Sequence, residues 1–366
     1  MMDQQEWQIK RTRIAQLLER TQLNGILLTR TANFSWLSGG GQAHVGINSE
    51  SAVASVLCSR QGDFLLASAI EMPRMLAEEC VGLPLTPHEF PWYTPAHRDA
   101  FIDAHCGAGR WGSDMAGATP ALGADLTDLR IQLTASEQER LRRHAQATGQ
   151  ALEAAARMIR PGMTEMEVAG VMAAHAYAAG TTPVVTLVAA DDRIDRFRHP
   201  VPTNQRIQQR AMVVICTRQH GLIVSATRLV AFGGLSDDLI RRAEACAVVD
   251  ATAWHGSRPG RRLGDVFADI QAAYAAQGYP DEWHKHHQGG ITGYENREVQ
   301  ARPDSQHVLA VGQAFAWNPS IAGTKSEDTM LLGANGPESL TNTGNWPMIT
   351  VTVAGQQYQR PGILVR

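Results

Sequence analysis

No stretch of this sequence approaches the roughly 18 consecutive apolar residues that a membrane-spanning helix needs. Charge of one sign is lacking too. The 33 Lys and Arg against 36 Asp and Glu leave a net charge of -3, with neither a basic footprint for nucleic acid nor an acidic tail. The five cysteines (58, 80, 106, 216 and 246) are widely spaced, with no CxxC pair. That pattern, odd in number, implies reduced, mostly buried thiols and carries no local signature of a catalytic Cys. The first residues, "MMDQQEWQIKRTRIAQLLERTQ", are charged and amphipathic rather than signal-like. Together these absences lead to the expectation of a cytoplasmic globular protein with no nucleic-acid or membrane partner.

A length of 366 residues with 44% hydrophobic content fits about two domains, each with its own core. In the first third, Ile9, Ile14, Leu17 and Leu18 mark one face of a helix that leads into the strand pattern "GILLTR". "AVASVLCS" and "DFLLASA" are further strands joined by an "RQG" turn, and "RWGSDM" is one more. The stretch "PALGADLTDLRIQLTASEQE" has weak periodicity and several turn residues, which puts a boundary near residue 130. The expected domains are 1–130 and 131–366.

The second part contains an internal repeat. "ALEAAARMIRPGMTEMEVAGVMAAHAYAAG" and "VVDATAWHGSRPGRRLGDVFADIQAAYAAQG" each read as helix, Pro-Gly break, helix. Arg160-Pro161-Gly162 answers Arg258-Pro259-Gly260, and Tyr177 before Gly180 answers Tyr274 before Gly278. Thr164 and Glu167 have capping-box spacing. Apolar strand-like runs accompany both copies, so the expected architecture is a pseudo-twofold α/β domain with its site between the halves.

This arrangement resembles the creatinase, prolidase, aminopeptidase P and methionine aminopeptidase superfamily, the pita-bread fold. "GLIVSATRLV", "HHQGGITGYENRE" and "AFAWNPSIAGTKSEDTMLL" carry the resemblance, and "LGANGPESLT" is similar to its closing hairpin. It implies an α/β (α+β) fold: a small N-terminal creatinase-type domain, then a pita-bread catalytic domain. It also implies a homodimer, with loop 39–48 of one subunit, including His44 and Asn48, near the partner's site. Gly39-Gly40-Gly41 is expected to make that loop pliable.

Metal-using relatives hold two divalent ions with Asp, Asp, His, Glu and Glu. Matched residue by residue, these fall on Val214, Ser225, Gly290, Asn318 and Glu327. One acid of four remains and the histidine is gone, too little to repay the hydration of two dications. The expectation is a site with no metal and no cofactor. "HKHH" would place His284 and His286 on one face of an extended segment, although a polar strand end is the simpler reading.

The resemblance to creatinase implies chemistry without metal. "RFRHPVPTNQRI" resembles the segment that carries its acid/base histidine, and His199 falls on that position. Imidazole can take and return a proton at neutral pH, and Glu327 is expected to orient it or to hold a cationic substrate group. Thr227 stands where creatinase has a guanidinium-binding Glu, and Arg297 where the family usually has a second His. Candidate substrate-binding residues are Thr227, Ser225, Asn318, Gln288, Arg297, His286, Trp317 and His44, with Trp36 a further possible pocket wall. Such a set suits an amide, ureido, guanidino or zwitterionic small metabolite. The expected activity is hydrolysis of a C–N bond, with elimination as a variant. The alternatives are a non-catalytic pita-bread binding protein, as in some histone-chaperone subunits, and an Xaa-Pro-type metallopeptidase.

Overall fold

A computed structural model describes residues 4–115, 117, 118 and 120–366. Two compact units divide the chain. One runs to Glu137 and takes in His220–Leu222; the other comprises Gln138–Gln219 and Ile223–Arg366.

In the first unit the opening helix spans Gln4–Thr21 and buries Ile14, Leu17 and Leu18. Ile9 does not join them and is exposed. Lys10 takes the inner position, because Glu6 and Glu137 pair with its ammonium at 2.6 and 2.8 Å and the carbonyl of Trp36 accepts from it. A five-stranded sheet follows in the spatial order 86–90, 63–68, 51–59, 25–30, 111–113. Leu27, Leu57, Leu66, Ile102 and Cys106 fill one of its cores. The triple glycine is pinned rather than pliable. Gly39 caps the helix Thr31–Ser38 in the left-handed conformation. Ser35 Oγ donates to the Gly41 carbonyl, and the Gly41 N–H donates to Ser38 Oγ.

The repeat governs the second unit. Helices Ala135–Met158 and Glu165–Ala178 form one pair, Asp237–Gly256 and Leu263–Ala276 the other. Both breaks turn on a glycine at positive φ, Gly162 at 91° and Gly260 at 87°, a conformation that glycine adopts without steric penalty. Each of these glycines donates its N–H to a later backbone carbonyl at 2.8 Å, Ile207 in the first copy and Leu309 in the second. Thr164 and Glu167 form the capping box the spacing predicts; Arg262, at the matching position, caps nothing with its side chain.

Each helix pair precedes a sheet. One has the order 363–365, 222–231, 210–219, 182–190; the other 299–300, 289–292, 314–317, 328–333, 336–339. The sheets meet where Thr227 N–H donates to the Glu327 carbonyl and Thr329 Oγ1 donates to the Ser225 carbonyl. All five cysteines are buried with free thiols. Among the described residues, no helix is long and apolar enough to cross a membrane.

Candidate active site

His199 lies beyond the strand Thr182–Ala190, in a segment held from two sides. Glu165, buried in the first turn of its helix, accepts from the N–H of Ala190 and from both the N–H and the hydroxyl of Thr203. The Val188 N–H donates to the Pro200 carbonyl. Arg198 pairs with Glu282, which brings the segment against the short 3-10 turn Glu282–Lys285 and the two histidines that follow it. His199 Nε2 and His286 Nε2 are 3.2 Å apart, and the His287 ring centroid is 5.6 Å from that of His199. His286 Nδ1 is 3.2 Å from Ser320 Oγ. His284 and His286 do not share one extended face: the segment turns at Glu282–Lys285, and His284 stacks on Trp283.

His199 and His287 stand between two cavities. The inner one, of about 130 Å³, is lined also by Val214, Asn296, Arg297, Asn318, Lys325 and Glu327. The outer one, of about 480 Å³, is open and includes Arg198, Phe267, Trp283, Lys285, His286 and Arg302.

Glu327 is buried at the floor of the inner cavity, and both its oxygens are engaged. Lys325 Nζ lies 2.8 Å from Oε2, Arg297 Nη2 donates to Oε1 at 3.3 Å, and Thr227 Oγ1 donates to Oε2 at 2.6 Å. Burial alone would raise this carboxyl, but Lys325 and Arg297 outweigh it and hold it down at about 2. Glu327 therefore faces fixed cations, and the hydrogen-bond partner of the His199 imidazole is His286. Burial, then the Lys325 charge, lowers His199, with Glu327 partly offsetting them. Burial and Arg297 bring His287 down to about 4, and burial with Lys325 pushes His286 well below the ordinary range. For all three the surroundings favour the neutral imidazole.

The other expected residues divide. Asn318 lines the inner cavity, and its buried Oδ1 has no partner among the described residues. Ser225 sits behind it, bonded to Thr329 and near Cys216. Gln288 lines neither of these two cavities; it accepts from Tyr274 Oη and donates to the His286 carbonyl, fixing the histidine segment. Trp317 is core, with its Nε1 donating to Ser257. Trp36 is core of the first unit. His44 belongs to that unit, where its carbonyl accepts from Arg74. Arg228 is locked between Glu153 and Asp328, away from the site. Lys325, His287 and Asn296 were not among the expected residues. A signal for Lys325 existed: an extended "KSE" puts residues 325 and 327 on the same face.

Two helix-pair-and-sheet halves around a central polar cavity, preceded in the sequence by a smaller α/β unit, define a pita-bread protein with a creatinase-type N-terminal domain. The chain belongs to metallopeptidase family M24, whose profile matches residues 139–334, and the Creatinase/Prolidase N-terminal domain matches residues 10–126. Among solved structures it is similar to the Xaa-Pro dipeptidase from Bacillus anthracis, at 18% identity and a TM-score of 0.78 over 98% of this chain and 100% of that one. Dipeptidase PepE from Mycobacterium ulcerans gives 20% and 0.77 over 93% and 97%. The N-terminal domain of FACT complex subunit SPT16 from Cicer arietinum gives 14% and 0.68 over 93% and 97%. No curated protein matches the sequence.

The family name implies metal, and the residues at the five matching positions do not fit two ions. Val214 offers no ligand, and Glu327 is already neutralised by Lys325 and Arg297. Gly290, at the histidine position, has φ of 146°, and a Cβ there would lie 2.2 Å from the Val299 carbonyl oxygen. The backbone has closed over the space a ligating side chain would leave from.

Proposed function

We propose that this protein is a metal-independent C–N hydrolase acting on a small guanidino, ureido or amide metabolite that also carries an anionic group. One observation carries the reading: the position of the ion-binding carboxylate is held by a Lys325–Glu327–Arg297 cluster, two cations to one anion, facing the cavity that His199 borders. An inner volume of about 130 Å³ admits one end of a small molecule rather than a peptide side chain with its flanks. Asn318 Oδ1 is a free acceptor for a substrate N–H.

His199 acts as general base and then acid. With Ser320 Oγ accepting from His286 Nδ1, His286 Nε2 accepts the His199 Nε2 proton and leaves His199 Nδ1 with its lone pair. His199 takes a proton from water as the water oxygen bonds to the scissile carbon. It then returns that proton to the leaving nitrogen as the C–N bond breaks. Lys325 and Arg297 stabilise the negative charge that grows on the former carbonyl or imino group. His286 positions His199 and does not touch substrate.

The test is a screen of untagged protein, stripped with chelator, for amine or ammonia release from N-acyl, ureido and guanidino acids. Activity that falls at least about 100-fold in His199→Gln supports the reading. Unchanged turnover in that variant, or turnover only with added metal, overturns it. The absence of four of the five ligand side chains also suits a second reading, a binding protein; a stripped wild type that binds such acids without turning any over would select it.

A further inference from the structure

Beyond the hydrolase reading, we infer that His199, His286 and His287 form a binding site for one borderline-soft transition ion of the zinc or cobalt class, separate from the family's carboxylate positions. One ligand atom from each lies within 4.8 Å of the others. The two Nε2 atoms of His199 and His286 are 3.2 Å apart. Bonds of 2.0–2.1 Å to a tetrahedral ion set a nitrogen–nitrogen edge of about 3.3 Å, so this pair already has the required span. The third ring has room to adjust: His287 is half-buried and its Nδ1 has no hydrogen-bond partner among the described residues. Ser320 Oγ, against His286 Nδ1, is the outer hydrogen bond that orients a ligating imidazole.

The donor set chooses the ion. Three nitrogens suit zinc, cobalt, nickel or copper and not magnesium, calcium or manganese, which prefer oxygen. Nearby cations oppose binding, but part of their charge is offset: Glu327 offsets one of the two charges on Lys325 and Arg297, and Glu282 pairs with Arg198. The outer cavity gives access, since all three histidines line it. An ion here would replace the His199–His286 hydrogen bond, so on the hydrolase reading it is an inhibitor.

The test uses the full untagged chain with no substrate present, so an inert enzyme and a failed metal site give different results. Zinc binding is measured by equilibrium dialysis with metal analysis, and Co2+ is titrated while its visible spectrum is followed. The expected result is one ion per chain, a tetrahedral Co2+ spectrum, and affinity at least about tenfold weaker in His199→Gln and in His287→Gln. Both positions are incompletely buried, and matched urea midpoints establish that the variants fold. Glu327→Gln is expected to keep the site. The inference is overturned by no saturable binding, by wild-type affinity in both histidine variants, or by loss in Glu327→Gln alone.

Discussion

The ammonium of Lys325 lies 2.8 Å from Glu327 Oε2, two residues along the same chain segment. The single carboxylate left from a five-ligand pattern therefore carries its own counter-ion. Both side chains are almost fully buried, where an unpaired charge would be strongly unfavourable. The cluster of Lys325, Arg297 and Glu327 keeps a net positive charge beside the cavity.

Breaking the pair on one side should be costly. Lys325→Met is expected to lower stability by about 3 kcal/mol, because it strands part of the charge on Glu327. Lys325→Met with Glu327→Gln should recover at least half of that loss. Urea melts of the two singles and the double decide it; strictly additive losses would mean the two residues do not act as a unit.

Removing metal should not remove activity. Dialysis against EDTA is expected not to lower the rate of any C–N hydrolysis found, since no step uses an ion. A rate that collapses and returns with manganese or cobalt would restore the metallopeptidase reading.

Gly290→His would put back the family's ligand in name only. Positive φ at a non-glycine residue and the 2.2 Å clash with Val299 together predict a loss of about 4 kcal/mol. The measurement is thermal or urea stability of the variant. A variant as stable as wild type would show that the strand Gly289–Thr292 yields easily.

Asp250 should make stability depend on pH. It is fully buried, with Arg360 and Ser326 as partners and with Asp328 and Cys246 also close. Burial, only partly offset by Arg360, raises it from 3.8 to about 6. Between those values the folded chain holds a proton the unfolded chain has lost. Its contribution is therefore full below 3.8 and fades as pH rises towards 6, by up to about 3 kcal/mol. Asp250→Asn should flatten that part of the curve; parallel curves for both proteins would refute the assignment.

Much of the architecture could be read from the residues. The Arg-Pro-Gly repeat located both helix breaks because only a glycine relaxes into that turn, and the capping box marked a helix start. Patterns of this kind are local. Ile9 and Lys10 exchanged places because two acids distant from Lys10 or one turn away, Glu137 and Glu6, met its ammonium, and no period records such a meeting. In the site, His199 was legible through its motif. His286 was named as well, but not its meeting with His199, since the Arg198–Glu282 pair that joins the two segments spans 84 residues. Lys325 was overlooked for another reason: it matched no family position, although its alternation with Glu327 was plain.

Glu327 and Asp328 are adjacent, yet they belong to different parts of the molecule. Glu327 faces the cavity. Asp328 is gripped by Arg228 at 2.9 Å, Arg360 at 3.1 Å and the Thr341 hydroxyl at 2.7 Å. Alternation along the segment that leads into the strand Asp328–Gly333 is thus a partition between a workshop and a foundation. Side chains on one side can be exchanged while the masonry behind them stands unchanged. A lineage with this partition can change its chemistry without first learning to fold again.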